Sequence, residues 1–507
     1  MSRISVSRFS LALPAMLLSQ AAYADVTAAQ VWGDWKLYMQ NMGYEISATE
    51  TTNGDDITVE GLSMALEMPD SAGQMSLTTG TITFAQNGGA VDIVMPAALP
   101  VTIAVTPKGG GNEPVTMNFN FSQSGHSLTA SGVPEEMVYT YGADSFGVVL
   151  EQLQADGGSF GPENAKVNVS GTGVSSSTTM KIGELRTYVQ SSVIESLVYD
   201  IAIDNPKDPV KVKLNGGIDG VAFDGGGSIP LTMVNSSDMA TMLKAGFAIK
   251  GMFTYGSGTM QMNVADPANG DFAATTASDG GALSVEMNDK LLAYSGGQNN
   301  VKMNLNVANL PFPVDLSMAK AAFNLMMPIS ASEDPQDFAF GITLGDFVIS
   351  DMIWSIFDPT SKLPRDPATV ELDLTGQAKL LVDVIDPEAA ASAAVPGELQ
   401  ALTVKNVLVD AVGAKLEGSG DFTFDNTDMT TFPGMPKPVG AVNLALAGGN
   451  GLIDKLVSMG LLPEQQAMGA RMMMGLFAVP GDAPDTLKSK VEFTEDGQVL
   501  ANGQRIK

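Results

Sequence analysis

The chain has 507 residues, with 27 Lys+Arg against 56 Asp+Glu, one histidine and no cysteine. Without cysteine there is no thiol catalysis, no thiolate zinc site and no cysteine-held iron–sulfur cluster; one histidine, His126, cannot build a two-histidine metal site. A formal charge of −29 argues against nucleic acid as a partner, because phosphate binding runs on clustered Lys and Arg.

Residues 1–24 read as a cleavable secretory signal peptide. Arg3 and Arg8 form a basic n-region, Phe9 to Leu18 an apolar h-region, and Ala22-Tyr23-Ala24 a small-x-small cleavage site before Asp25. An h-region of about ten residues is too short to cross ~30 Å of hydrocarbon, and no later segment reaches ~18 apolar residues. A periplasmic protein is predicted, with no transmembrane segment after cleavage and no cysteine for a lipid anchor.

A helix opens the mature chain. Val31, Trp32, Trp35, Leu37, Tyr38, Met39 and Met42 recur at roughly helical spacing, and Gly43 stops them. Trp32 and Trp35 share a face that is predicted to clamp the helix onto a sheet, in preference to a membrane-interface role. Period-two alternation follows in Met75–Phe84, Ala90–Met95 and Val101–Val105, with Asn87-Gly88-Gly89 and Lys108–Gly111 as hairpin turns. Ser124-Gly125-His126-Ser127 reads as a turn between two strands. A short helix is predicted over Asp144–Gln154. Strands resume at Ala165–Ser170, Thr178–Val189, Val198–Ile203 and Lys211–Leu214.

A second helix is predicted at Ser237–Lys244, then strands at Gly258–Val264 and Asn300–Val307. Ile349–Phe357 reads as a helix closed by Asp358-Pro359. Strands return at Thr369–Leu374, Lys379–Val384, Leu402–Val409 and Gly418–Phe424. Two helices, Gly451–Met459 and Pro463–Phe477, precede a strand at Thr486–Phe493 and a terminal hairpin with Asn502-Gly503 as its turn. Thr116–Phe121 with Thr129–Gly132 is echoed by Thr259–Val264 with Thr276–Gly280, either a duplicated unit or chance.

Three segments carry a family resemblance: Ala28-Ala29-Gln30-Val31-Trp32-Gly33-Asp34-Trp35, the block from Phe357-Asp358-Pro359 through Leu363-Pro364-Arg365-Asp366-Pro367, and Asp496-Gly497-Gln498-Val499-Leu500-Ala501-Asn502-Gly503. Through these the chain resembles the DUF2125 proteins of alphaproteobacteria, a family that brings no catalytic residue to carry over. Its long β-rich layout is also similar to the AsmA-like envelope proteins. That likeness implies elongated sheets, some concerned with moving or sheltering lipid.

Chemical motifs are sparse. Gly157-Gly158-Ser159-Phe160-Gly161 fits G-x-S-x-G, but in a loop and with only His126 as base, so a serine hydrolase is disfavoured. Gly216–Gly220 and Asp224–Gly227 read as a pair of β-turns in preference to a calcium loop. Asp55-Asp56 and Asp204 with Asp208 read as loop acids. The 30 methionines cluster at Met326-Met327 and Met472-Met473-Met474, where core filling is favoured over an apolar groove. No catalytic, cofactor-binding or metal residue is assigned.

The fold class is therefore mainly β: extended, twisted antiparallel sheet with an N-terminal helix, a few short connecting helices and a C-terminal helix pair. The expected units after the signal are 25–235, 236–385 and 386–507. The expected function is that of a non-catalytic envelope scaffold or binding protein, with lipid, another apolar ligand or another envelope protein as partner. An outer-membrane β-barrel and an exported hydrolase are the alternatives.

Overall fold

The computed structural model describes residues 25–68, 73–107, 114–155, 158–204, 208–232, 238–308 and 310–507; the predicted signal peptide and the Lys108–Gly111 turn fall outside them. Helix α1 (Ala28–Asn41) is followed by β1 (Glu45–Asn53), β2 (Asp56–Glu67), β3 (Gly73–Thr79), β4 (Ile82–Asn87), β5 (Ala90–Val94), β6 (Ala98–Pro107), β7 (Val115–Ser124), β8 (Ser127–Val133) and β9 (Glu136–Ala155). Next come β10 (Gly158–Phe160), β11 (Ala165–Ile182), β12 (Leu185–Asp204), β13 (Lys211–Pro230) and α2 (Met239–Lys244). The middle holds β14 (Ala248–Tyr255), β15 (Ser257–Ala265), β16 (Phe272–Ser278), β17 (Gly281–Met287), β18 (Leu291–Val307), β19 (Val314–Pro328), β20 (Gln336–Ile349) and α3 (Asp351–Phe357). The last part runs β21 (Ala368–Leu380), α4 (Pro387–Ser392), β22 (Gly397–Ala411), β23 (Ala414–Asp425), β24 (Lys437–Ala447), α5 (Gly449–Ser458), α6 (Glu464–Phe477), β25 (Val479–Pro480), β26 (Thr486–Phe493), β27 (Val499–Ala501) and β28 (Gln504–Arg505).

Among the described residues, all 28 strands join one antiparallel sheet. Its ladder crosses both expected unit boundaries, because β13 pairs with β14 and β21 pairs with β22. Several strands are two segments in line. β7 and β8 both run against β9, at Ser124↔Ser145 and Ser127↔Gly142. β14 and β15 both run against β13. His126 thus lies between two strands, at a break within one strand line. The sequence echo also dissolves: β7 and β8 are in line, whereas β15 and β16 pair with each other.

These breaks align into a crease across the sheet. Pairing skips Gly173 opposite both Asp144 and Glu195, Glu195 opposite Gly220, and Asn300 opposite Ala319. Left-handed φ values mark the line at Gly61 (60°), Gly125 (57°), Gly173 (61°), Gly220 (62°), Gly280 (107°), Asn300 (49°) and Asp346 (51°). These are Gly, Asn and Asp, the residues that tolerate that region.

The crease shifts the alternation by one residue. In β13 the apolar positions are Val212, Leu214 and Ile218 before Gly220, then Val221 and Phe223 after it. In β18 they are Leu292 and Tyr294, then Val301, Met303 and Leu305. In an unbroken strand such a slip moves every later side chain to the other face. Here Tyr255 Oη and Ser278 Oγ, from opposite sides of the break, share a hydrogen bond of 3.0 Å. The apolar residues of both halves therefore stay on one side.

Three expectations are corrected by the strand pairing. Asp144–Gln154 is strand, part of β9; Phe146, Val148 and Leu150 alternate, and a bulge at Glu151, unpaired opposite Asn118/Phe119 of β7, shifts the next apolar residue to Leu153 and so imitates helical spacing. Gly216–Gly227 is likewise strand, within β13, and not a pair of turns. Lys379–Val384 is also no separate strand; β21 ends at Leu380.

Candidate functional site

Directly paired residues in an antiparallel ladder point to the same face. One such row runs Phe223, Phe253, Leu283, Gly296, Phe323, Ile342, Leu372, Val407, Gly418, Leu444 and Ser489. The next row on that face runs Gly251, Val285, Tyr294, Leu325, Phe340, Leu374, Val404, Gly420, Val442 and Val491. The opposite face is polar and carries its own cross-strand partners. Lys250 pairs with Glu286 at 2.8 Å, Asn406 Nδ2 donates to Glu371 Oε2 at 2.9 Å, and Thr403 Oγ1 donates to Asp421 Oδ1 at 2.7 Å.

Glycines keep the apolar face shallow. The rings of Phe146, Tyr199, Tyr188, Tyr255, Phe323 and Phe338 pair directly across from Gly171, Gly216, Gly227, Gly281, Gly296 and Gly376. A Cβ added at Gly296 would meet the Phe323 ring at 2.9 Å, and one at Gly281 the Tyr255 ring at 2.8 Å. Aromatic rings lie where those glycines leave room, a cross-strand arrangement that stabilises glycine in a sheet.

One end of this face is closed by α1. Thr27 and Gln30 form its capping box, Thr27 accepting from Gln30 N and Gln30 Oε1 accepting from Thr27 N at 2.9 Å. Trp32 and Trp35 straddle Phe84 at ring separations of 5.5 and 5.2 Å, so the predicted clamp is present. Val26 and Val31 from the helix segment and Val59, Phe84 and Val91 from the sheet are fully buried where the two meet. Trp35 Nε1 donates to Tyr139 Oη at 3.2 Å, and burial pushes the Tyr139 hydroxyl up to about 12, so it stays neutral. Arg186, 5% exposed, donates from Nη1 to Asp34 Oδ2 at 2.9 Å and from Nη2 to Oδ1, with Tyr38 stacked on its guanidinium. At the far end Phe422, Phe432 and Phe493 cluster under Lys507.

Between these caps the face is open. Leu283 is 50% exposed and Phe323 47%, and Tyr294, Leu325, Phe340 and Ile342 are exposed beside them. A concavity of about 510 Å³ is lined by Phe253, Tyr255, Leu283, Phe323, Ile342 and Leu344. A second, of about 470 Å³, lies across the crease over Met303, Leu316 and Ile349. Exposed apolar area on this scale is a mark of a binding surface. The row signal was present in the sequence as alternation, but the phase slip at the crease concealed that both halves share a face.

The chemical motifs do not converge. His126 Nε2 bonds the Met95 carbonyl at 3.0 Å, while Ser159 Oγ accepts from Gln152 at 2.8 Å. Asp56 Oδ1 accepts from Gln86 N, Asp204 pairs with Lys211, and Asp208 caps Val210 N. Among the described residues no group of three His, Asp or Glu is placed to hold a metal. Asp358, fully buried, binds the N–H groups of Lys362 and Leu363 at 2.9 Å each, and Arg365 reaches its backbone carbonyl. The Phe357–Pro367 block is thus a largely exposed turn pinned by two buried residues, Asp358 and Leu363. Met472 and Met473 are exposed on α6, against the expectation of core filling, and Met327 lies on the apolar face.

No protein-family model and no curated protein matches the chain. Among solved structures it is similar to BauA, the ferric preacinetobactin receptor from Acinetobacter baumannii, at 8% identity and a TM-score of 0.16, over 91% of this chain and 78% of that one. A likeness of that size carries no argument.

Proposed function

We propose that this chain is an exported, non-catalytic envelope protein that shelters acyl chains on the open apolar face of its sheet. The observation that carries the reading is the half-exposed row through Leu283 and Phe323, flanked by capped ends of the same face. The strands β17 to β22 lie side by side, and six strands about 4.8 Å apart span about 24 Å. An acyl chain in one leaflet needs about half of the ~30 Å hydrocarbon core, so the open stretch is long enough for one. Export is proposed from residues 1–24, and a DUF2125 or AsmA-like relationship from the three segments named above.

A membrane barrel requires every strand edge to be paired. Here β1 pairs with β2 and β28 with β27, which leaves two open ends among the described residues. That favours a binding sheet over a spanning barrel. Native mass spectrometry of protein purified from its own envelope tests the reading. Bound lipid that is lost in Phe323→Glu is expected; lipid-free wild-type protein would contradict it.

A further inference from the structure

Beside the end closed by α1 the apolar face carries a polar patch. The row through Phe223 continues backward as Ser192, Ser176 and Tyr141, and its neighbour continues from Gly251 through Gly225 to Gln190, Thr178 and Tyr139. Ser176, Thr178, Gln190 and Ser192 therefore form a four-residue polar patch on the same face as Leu283 and Phe323. All four are half-buried. Ser176 and Ser192 share a hydrogen bond of 2.7 Å, and Gln190 Nε2 donates to Ser192 Oγ at 3.1 Å. Each of these groups keeps hydrogen-bonding capacity beyond those contacts, since a hydroxyl has one donor and two acceptor positions and an amide four in all.

The patch contains no charge. Arg186, the cation on that side of the face, has its guanidinium held by Asp34 under Tyr38 and is not free to bind an anion. An anionic headgroup placed here would lose its water without gaining a cation, whereas a polyhydroxyl group finds matched donors and acceptors. Ser192 pairs directly with Phe223, so polar patch and apolar trough are adjacent in one row. We infer that the ligand is an amphiphile with an uncharged, hydroxyl-bearing head seated on Ser176, Thr178, Gln190 and Ser192, and acyl chain running from Phe223 toward Phe323. This rests on the acyl-chain reading above and adds the class of headgroup.

The test is competition binding to the purified full chain with two lipids of identical dioleoyl chains, monogalactosyl diacylglycerol and phosphatidylglycerol. The galactolipid is expected to bind about tenfold more tightly, the equivalent of one or two matched hydrogen bonds. The Ser176→Ala/Ser192→Ala variant is expected to erase that preference. Equal binding of the two lipids, tighter binding of phosphatidylglycerol, or a preference unmoved in the variant overturns the headgroup assignment and leaves the acyl-chain reading standing. Binding of neither lipid overturns both.

Discussion

Tyr255 and Ser278 sit on opposite sides of the crease and yet share a 3.0 Å hydrogen bond on one face of the sheet. Tyr255 precedes Gly256 in its strand line, and Ser278 precedes the left-handed Gly280 in the next. The contact requires the pleat to reset at the break. Tyr255→Phe removes the bond and keeps the ring over Gly281. A loss of about 0.5–1.5 kcal/mol is expected in urea unfolding, with the fold retained.

Backbone conformation at the crease is a separate matter from space. Gly220 has φ 62°, and a Cβ there would meet nothing nearer than 3.5 Å. Gly220→Val should therefore lose stability through strain, at least ~1–2 kcal/mol for a non-glycine residue forced left-handed. Gly220→Asn should lose clearly less, since asparagine already occupies the equivalent position at Asn300. Equal losses in thermal melts would show that the crease does not depend on left-handed backbone.

The α1 clasp rests on a buried ion pair, with Arg186 and Asp34 side chains 6% and 9% exposed. Removing one partner strands the other, at a cost of about 3–5 kcal/mol. Arg186→Met should show that loss in chemical denaturation, and Asp34→Leu/Arg186→Met should recover most of it.

Glycine has two different uses here. Gly171 lies under the Phe146 ring, so Gly171→Ala displaces an aromatic side chain and should cost about 1–3 kcal/mol. Gly469 on α6 has nothing within 4 Å of an added Cβ. Gly469→Ala should stabilise by about 0.5–1 kcal/mol through helix propensity. Parallel melting curves check both signs.

Burial opposes the Asp358 charge, but the N–H groups of Lys362 and Leu363 and the nearby cations of Arg365 and Lys362 outweigh it and hold the carboxyl below its ordinary value. A depressed folded-state value means the stabilisation is full above the unfolded carboxylate range, near pH 4, and is lost as pH falls through the folded value. The acid limb of the stability curve should therefore flatten in Asp358→Asn. An unchanged acid limb would remove Asp358 from that account.

Much of the strand content was legible because period-two alternation survives wherever a strand is half-buried, as in Gly258–Val264 and Asn300–Val307. The α1 clamp was legible because Trp32 and Trp35 fall on one helical face. Three features were hidden. The slip at Asp144 made β9 look helical; the glycines of β13 looked like turns because rings such as Tyr188 and Tyr199 that cover them belong to another strand; and the Ser124–Ser127 turn concealed that the strands on either side of His126 lie in line. The open face itself is a property of row alignment across strands, which alternation in one strand does not reveal.

On the proposed function, acyl chains are expected on the face bearing Phe323 and not on the reverse side. Since the chain has no cysteine, Phe323→Cys and Met252→Cys each give a unique attachment site, on opposite faces and with similar exposure, 47% and 46%. With bimane on each, titration with dioleoyl lipid is predicted to blue-shift emission at position 323 and leave position 252 unchanged. Equal shifts at both positions, or a shift at 252 alone, would contradict the account.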